Sequence, residues 1–351
     1  MTRPCSATLQ LRLRVATKLG WRSTCLDPET GWLWKIERGD RSLILAGPTS
    51  SLNDAAAARL TVDKFFTSTV LRAAGLRTPD TVRCLRADAS ANDREAFASQ
   101  RGLEPALAFA DARGYPLIVK PNRGARGQCV NRVDDRRALV RAIERVWTID
   151  ELALVQPALP GLDLRVDLLD GELLLAYVRR PLRLIGDGRS TALQLLAAID
   201  GRATNEHFMA KLRAEPLWGE TLTAAGLRED SVIASGLEIT FPATVLNLNR
   251  CCTAELFEAL PEPWMALSRR IAGALRLRHC GIDLRVPASV DPLAGDPKDA
   301  TVLEVNGSPS IMQIHELGAA ALAEAAERRV LEAMLAAVND RSEGCRFAER
   351  A

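Results

Sequence analysis

Leu117-Ile118-Val119-Lys120-Pro121-Asn122-Arg123-Gly124-Ala125-Arg126-Gly127 runs from an apolar strand-like stretch, through one lysine, into a loop of glycines and arginines. Glycines let backbone N–H groups approach an anion, and cations offset its charge, so such a loop suits a polyphosphate. The GxxxxGK[ST] pattern of a Walker A loop is absent. Taken alone, the stretch reads more readily as a surface hairpin with solvated arginines.

A second stretch gives the loop a chemical context. Cys280-Gly281-Ile282-Asp283-Leu284-Arg285 is followed by Val302-Leu303-Glu304-Val305-Asn306-Gly307. Both read as strands, around a turn-rich insertion at 287–300. Glu304 and Asn306 are two apart and share a strand face, with Asp283 on a neighbouring strand. Three oxygen donors at one spot suit a hard cation such as Mg²⁺, which keeps water and phosphate oxygens as its other ligands. Alone, the three also fit ordinary solvent-facing strand positions.

Between these stretches the pattern alternates in blocks, which predicts an α+β class rather than strict βαβ alternation. Helices are expected over 53–74 (capped by Asn53 or Ser51), 88–113, 134–147, most of 191–230, 255–278 and 316–338. Strands are expected at Val82–Leu85, from Cys129-Val130, at 153–155 and over 232–249. A hairpin is expected with arms at 163–169 and 173–178 about Asp170-Gly171. Trp32 and Trp34, one strand period apart, are expected on one face of a packed sheet edge.

The chain has 351 residues, enough for about two domains at roughly 150 residues each. Its 46 basic and 44 acidic residues leave a net charge of +2, without the basic excess of a dedicated nucleic-acid binder. Eight scattered cysteines form no CxxC pair and no disulfide framework, and the three histidines are too far apart for a metal triad. No segment reads as a signal peptide or a membrane span. A cytoplasmic protein without membrane or nucleic-acid partners is expected.

Taken together and in order, these stretches resemble the ATP-grasp superfamily, in particular the ATP-grasp parts of cyanophycin synthetase and bifunctional glutathione synthetase. The resemblance runs over roughly 50–315. Asp63-Lys64 with Leu71 to Pro79 is similar to the family's entry element, and Leu117–Pro121 to its lysine strand. Val155-Gln156 through Pro160-Gly161-Leu162-Asp163-Leu164-Arg165 is similar to its hinge, and Arg179 through Gly186-Asp187-Gly188 to Thr191 to the element after it. Asn247-Leu248-Asn249 resembles its asparagine element. Asp283, Glu304 and Asn306 fall on its metal ligands, and His315 on a histidine that often follows them.

The resemblance implies an ATP-grasp fold in which two α+β subdomains clasp ATP behind a short N-terminal α/β extension. The expected divisions are an N-terminal segment at 1–60, a lid with the phosphate loop at 61–157, and a metal and acceptor half at 158–351. Lys64, Lys120, Gly124, Arg126 and Gly127 are implied at the phosphates. Gln156 and Ala158 are implied at adenine, and Asp163 at the ribose. Asp283, Glu304 and Asn306 would hold two Mg²⁺, with Mn²⁺ as a substitute. Arg165, Arg179, Asn247 and Arg250 would face the transferred phosphoryl and the acceptor carboxylate.

The implied activity is ADP-forming ligation of a carboxylate to an amine through an acyl phosphate. Small substrates are expected, an amino acid or short peptide, in a chain that works as a homodimer. Three departures keep other readings open. Gln156-Pro157 stands where acidic pairs are common, Cys251-Cys252 where two glycines are usual, and the arginine usually found before Asn247 is missing. A nucleotide-binding pseudoenzyme, or an ATP-grasp enzyme with a non-amine acceptor, are the alternatives.

Overall fold

A computed structural model of the chain describes residues 6–89, 98–124, 127–241, 248 and 251–344. The chain starts with helix α1 (Ala7–Lys18) and an antiparallel meander of β1 (Arg22–Cys25), β2 (Leu33–Arg38) and β3 (Arg41–Ala46). β2 begins at Leu33, so Trp32 sits just ahead of the strand rather than sharing a face with Trp34. Trp32 covers Gly47, where a Cβ would lie 2.7 Å from its ring, and Trp34 packs against the core beneath the meander.

The helix expected over 53–74 is two helices, α2 (Ala55–Val62) and α3 (Lys64–Ala73). Asp54 caps the first by accepting from Ala57 N–H at 2.8 Å, and Asp63 caps the second by accepting from Phe66 N–H at 2.9 Å. An Asx side chain that satisfies an orphan N–H competes with helix continuation, which is why the apolar pattern alone joined the two. Asn53 is not a cap. Its amide donates to the carbonyls of His279 and Gly307 at 2.8 and 2.6 Å.

Next come β4 (Val82–Leu85), α4 (Glu104–Arg113), β5 (Leu117–Pro121), β6 (Asn131–Val133), α5 (Arg136–Trp147) and β7 (Leu152–Pro157). Cys129 is not yet in a strand; it holds a turn at φ 54°. The strands form one antiparallel sheet in the order β4-β7-β5-β6. Leu139, Ile143 and Val146 recur at helical spacing on α5 and pack on Val119 and Val155 of the sheet.

The remaining half is built on β8 (Leu162–Leu169) and β9 (Glu172–Pro181), the expected hairpin, which turns at Asp170-Gly171 with both residues at positive φ. β10 (Arg183–Ile185) follows, then α6 (Ala192–Ile199), α7 (Glu206–Ala214), α8 (Pro216–Ala224) and β11 (Glu238–Thr240). These make a small helical unit with its own core around Trp218 stacked on Phe241. Residues 252–257 form a strand, β12 (Cys252–Phe257), and the helix expected from 255 is α9 (Glu262–Ala274). Thr253 to Phe257 has helical composition, but ladder pairing with β9 overrides it.

β13 (His279–Val286) and β14 (Thr301–Asn306) complete a five-stranded antiparallel sheet, β12-β9-β8-β13-β14. The helix expected over 316–338 is a single helix shifted towards the C-terminus, α11 (Ala320–Gly344), and a short α10 (Met312–Glu316) precedes it. One face of the sheet is apolar: Leu164, Val166, Val178, Ile282 and Leu284 pack on Trp264 and Ile271 of α9. The opposite face carries the alternate residues, mostly charged, and passes at its far end into a core shared by α1, α11 and the N-terminal meander. Among the described residues, no helix is long and apolar enough to cross a membrane.

Candidate active site

Asn122, 2 % exposed at the end of β5, ties the glycine loop to the start of α3. Its Nδ2 donates to Asp63 Oδ2 at 2.7 Å, its Oδ1 accepts from Phe65 N–H at 3.0 Å, and its carbonyl accepts from Lys64 N–H at 3.1 Å. This clamp sets Lys64 beside the loop, where its Nζ donates to Gly124 O at 2.8 Å and lies 3.5 Å from Glu304 Oε1 on β14. Gly124 and Gly127 both take positive φ, 113° and 69°, a region open to glycine without steric cost.

Lys120 is 7 % exposed, and its Nζ donates to Leu303 O at 3.4 Å. Burial pulls its pKa down to about 8, with Glu304 acting against the shift and Lys64 adding to it. Two lysines from distant stretches therefore converge on the β14 carboxylate. A buried, under-paired ammonium is poised to gain from an incoming anion.

The oxygen donors come together through strand register. Asp283 lies directly opposite Glu304 across β13–β14, and Asn306 is opposite Gly281. Asn306 Nδ2 donates to Asp283 Oδ2 at 3.2 Å, which leaves Asn306 Oδ1 as an acceptor. Burial would raise the Asp283 pKa, but Arg165 and Arg179 outweigh it and hold the carboxyl below its ordinary value. No group of three or more His, Cys, Asp or Glu side chains assembles among the described residues. The set here is instead two carboxylates and an amide oxygen. That all-oxygen chemistry fits Mg²⁺, which is usually bound by one or two carboxylates plus phosphates and water.

Arg165 and Arg179 are committed to neighbours within the sheet. Arg165 donates from Nη1 to Asp283 Oδ2 at 3.0 Å and from Nε to Asp167 Oδ1 at 2.5 Å. Arg179 donates to Asp283 Oδ1 at 2.8 Å and to Asp163 Oδ1 at 2.7 Å. Asp163, expected at the ribose, is 5 % exposed, and its second oxygen lies 3.6 Å from Arg285 Nη2. Its place opposite Arg179 and Arg285 in the ladder turns it into this array. Burial pushes Asp163 and Asp167 upward, against the pull of their arginines.

The two residues expected at adenine also make bonds within the protein. Gln156 is buried and donates from Nε2 to Thr81 Oγ1 at 2.7 Å, and Ala158 N–H donates to Pro116 O at 3.0 Å. Arg126, Asn247 and Arg250 lie outside the described residues. His315 sits on α10 with Nε2 3.4 Å from Arg14 Nη2 of α1.

Two residues with no sequence-based assignment brace the neighbouring strands: Asp167 and Arg202. Arg202, 2 % exposed, is paired with Asp200 and donates to the carbonyls of Leu248 and Cys252, the latter at 2.7 Å. The strand period of Asp163-Leu-Arg165-Val-Asp167 was the available signal for Asp167.

No protein-family model matches the chain. It is 26 % identical over 269 residues to cyanophycin synthetase from Crocosphaera subtropica, covering 72 % of this chain and 28 % of that protein. It is 32 % identical over 122 residues to D-alanine–D-alanine ligase from Nitratidesulfovibrio vulgaris, 35 % of each. Among solved structures, the bifunctional glutathione synthetase from Pasteurella multocida superposes with a TM-score of 0.57 at 21 % identity, over 87 % of this chain and 41 % of that one. The chain thus spans less than half the length of that synthetase and under a third of cyanophycin synthetase. Sheet architecture and superposition agree that this chain has the ATP-grasp fold, and its sequence resembles part of cyanophycin synthetase and of bifunctional glutathione synthetase.

Proposed function

We propose that this chain is an ATP-dependent, ADP-forming carboxylate–amine ligase. The observation that carries the reading is the convergence of Lys64, Lys120 and Glu304, with Asp283 opposite Glu304 on the next strand. Cations for a polyphosphate and oxygen donors for its counter-ion meet on one sheet end, as phosphoryl transfer by positioning and electrostatics requires. Residues 61–157 serve as the lid and 158–351 as the metal and acceptor half.

Lys120 and Lys64 bind ATP phosphates, and the backbone at Gly124 and Gly127, with Arg126, closes over them. The backbone around Gln156 and Ala158 lines the adenine. Asp283, Glu304 and Asn306 hold two Mg²⁺, and Mn²⁺ substitutes. When bound, the metal neutralises charge on the phosphoryl oxygens. Arg179, whose side chain keeps 13 % exposure, faces the transferred group; Asn247 and Arg250 orient the acceptor carboxylate. The lid excludes water, which would otherwise hydrolyse the acyl phosphate.

The proposed substrates are a small carboxylate and an amine, an amino acid or short peptide. The near-zero net charge offers no long-range steering toward a polyanionic polymer. Free thiols at all six described cysteines support a reducing, cytoplasmic setting. The test is Mg²⁺-dependent ADP release across an amino-acid panel, with hydroxylamine present to trap an acyl phosphate. A hydroxamate that appears with a small acid and MgATP is the expected result. A phosphorylated alcohol, or no ADP with any acid, would refute the ligase reading.

A further inference from the structure

Asp167 belongs to no motif, yet it is 1 % exposed and faces the ion-pair array rather than the apolar core. Burying a carboxylate costs several kcal/mol unless partners compensate, and its partner is a single guanidinium. Arg165 bridges two acids: Nε to Asp167 at 2.5 Å and Nη1 to Asp283 at 3.0 Å. The passage for this side chain exists because residue 281 is glycine. A Cβ there would overlap Arg165 Nη2 and lie 2.5 Å from Asp167 Oδ1.

Arg179 repeats the arrangement on the other side, divided between Asp283 and Asp163. Asp163 is also approached by Arg285 at 3.6 Å, from the partly exposed end of the array. Two arginines bonded to Asp283 alone would cancel its charge and more. Asp167 draws part of the Arg165 charge away from it, at the buried end where no further cation is bonded to Asp167 among the described residues.

We infer that Asp167 is a positioning residue that keeps Asp283 electronegative enough to hold a divalent cation, acting through Arg165. The inference rests on the metal reading proposed above and concerns a residue that touches neither metal nor substrate.

The test uses the full chain and Mn²⁺ alone, followed by loss of the free-ion EPR signal, with a thermal melt of each variant. Asp167→Asn keeps shape and an acceptor oxygen but removes the charge, so Mn²⁺ affinity should fall about tenfold or more. The double variant Arg165→Gln/Asp167→Asn removes one charge of each sign and should return to within about threefold of the wild type. A purely structural role gives the opposite order, with the double variant at least as weak as the single. Wild-type affinity in Asp167→Asn, or a double variant that stays weak, overturns the inference while leaving the metal site standing. A wild-type chain that binds no Mn²⁺ overturns both. If Asp167→Asn does not fold, the double variant decides alone: recovered affinity supports the inference, and loss refutes it.

Discussion

Arg12 Nε donates to Glu327 Oε1 at 2.5 Å, and both residues are 1 % exposed. Arg12 also donates to the carbonyls of Pro48 at 3.2 Å and Thr49 at 3.1 Å. One guanidinium therefore joins the first helix, the last helix and the loop between β3 and α2. Removing one partner of a buried pair leaves an uncompensated charge, at a cost of about 3–5 kcal/mol. Glu327→Ala should lose about that much in urea denaturation, and Arg12→Met/Glu327→Leu should recover most of it. A loss under about 1 kcal/mol in the single variant would show that the pair is not what locks these layers.

Gly281→Ala should disturb the array directly, since the added methyl would strike the Arg165 guanidinium. That side chain is held at both ends and has nowhere to retreat. Overpacking of this kind costs about 1–3 kcal/mol. Gly273 supplies the control: it lies in α9 with nothing within 4 Å of an added Cβ. Gly273→Ala should be neutral or stabilising by up to about 1 kcal/mol. Equal melting temperatures for the two variants would count against the crossing of Arg165 over Gly281.

His279 is 1 % exposed, and neither ring nitrogen has a hydrogen-bond partner among the described residues. Burial, reinforced by Arg12 and Arg165, lowers its pKa to about 3 from 6.5. Between those values the unfolded chain binds the extra proton, so stability falls as pH drops from 6.5 toward 3. The neutral ring contributes no such loss above 6.5. His279→Leu should flatten the stability profile in that window while remaining folded at pH 7. Parallel acid-denaturation curves for the variant and the wild type would contradict this.

Much of the site could be read from the chain because its residues sit in short local patterns. Lys120 ends an apolar strand, Glu304 and Asn306 obey the strand period, and Asp63 precedes Lys64. What could not be read was the pairing between strands. Whether Arg179 meets Asp163 depends on the β8–β9 register, and whether Arg165 reaches Asp283 depends on β13 lying on β8's other side. Without that topology, nothing in the chain shows that Arg165, Arg179 and Asp163 are tied to one another through Asp283. The helix boundaries went astray for a similar reason. Asp63 caps α3 through one hydrogen bond, and residues 252–257 become a strand through contact with β9, neither of which hydrophobic periodicity records.

Glu304→Gln keeps the side chain's size and removes its charge from a point shared by Lys64 and the proposed metal. Turnover should fall by orders of magnitude, because the metal loses an anionic ligand. The melting temperature should hold, since Glu304 is only partly buried, with 29 % side-chain exposure. Wild-type turnover in this variant would remove Glu304 from the metal site.

Lys120 supplies the sharpest link between burial and ligand binding. Its pKa of about 8 in the folded chain lies below the ordinary lysine value of 10.5, so from pH 8 to 10.5 the unfolded chain holds more protons. This residue's contribution to stability therefore rises with pH across that window. Below pH 8 the folded chain carries the full cost of the buried charge, about 3 kcal/mol at about 1.36 kcal/mol per pH unit. A bound polyphosphate would offset that cost, so nucleotide binding above pH 8 must draw a proton onto Lys120. The ATP dissociation constant should then rise toward tenfold per pH unit between about 8 and 10. Calorimetry in buffers of different ionisation enthalpy should register the proton uptake. Lys120→Met should bind ATP more weakly at pH 7 and lose the slope. Lys120→Arg should lose it too, because guanidinium stays charged, while its bulk at a strand end so deeply buried impairs turnover. An unchanged slope in Lys120→Met would place the titrating group elsewhere and return Lys120 to a structural role.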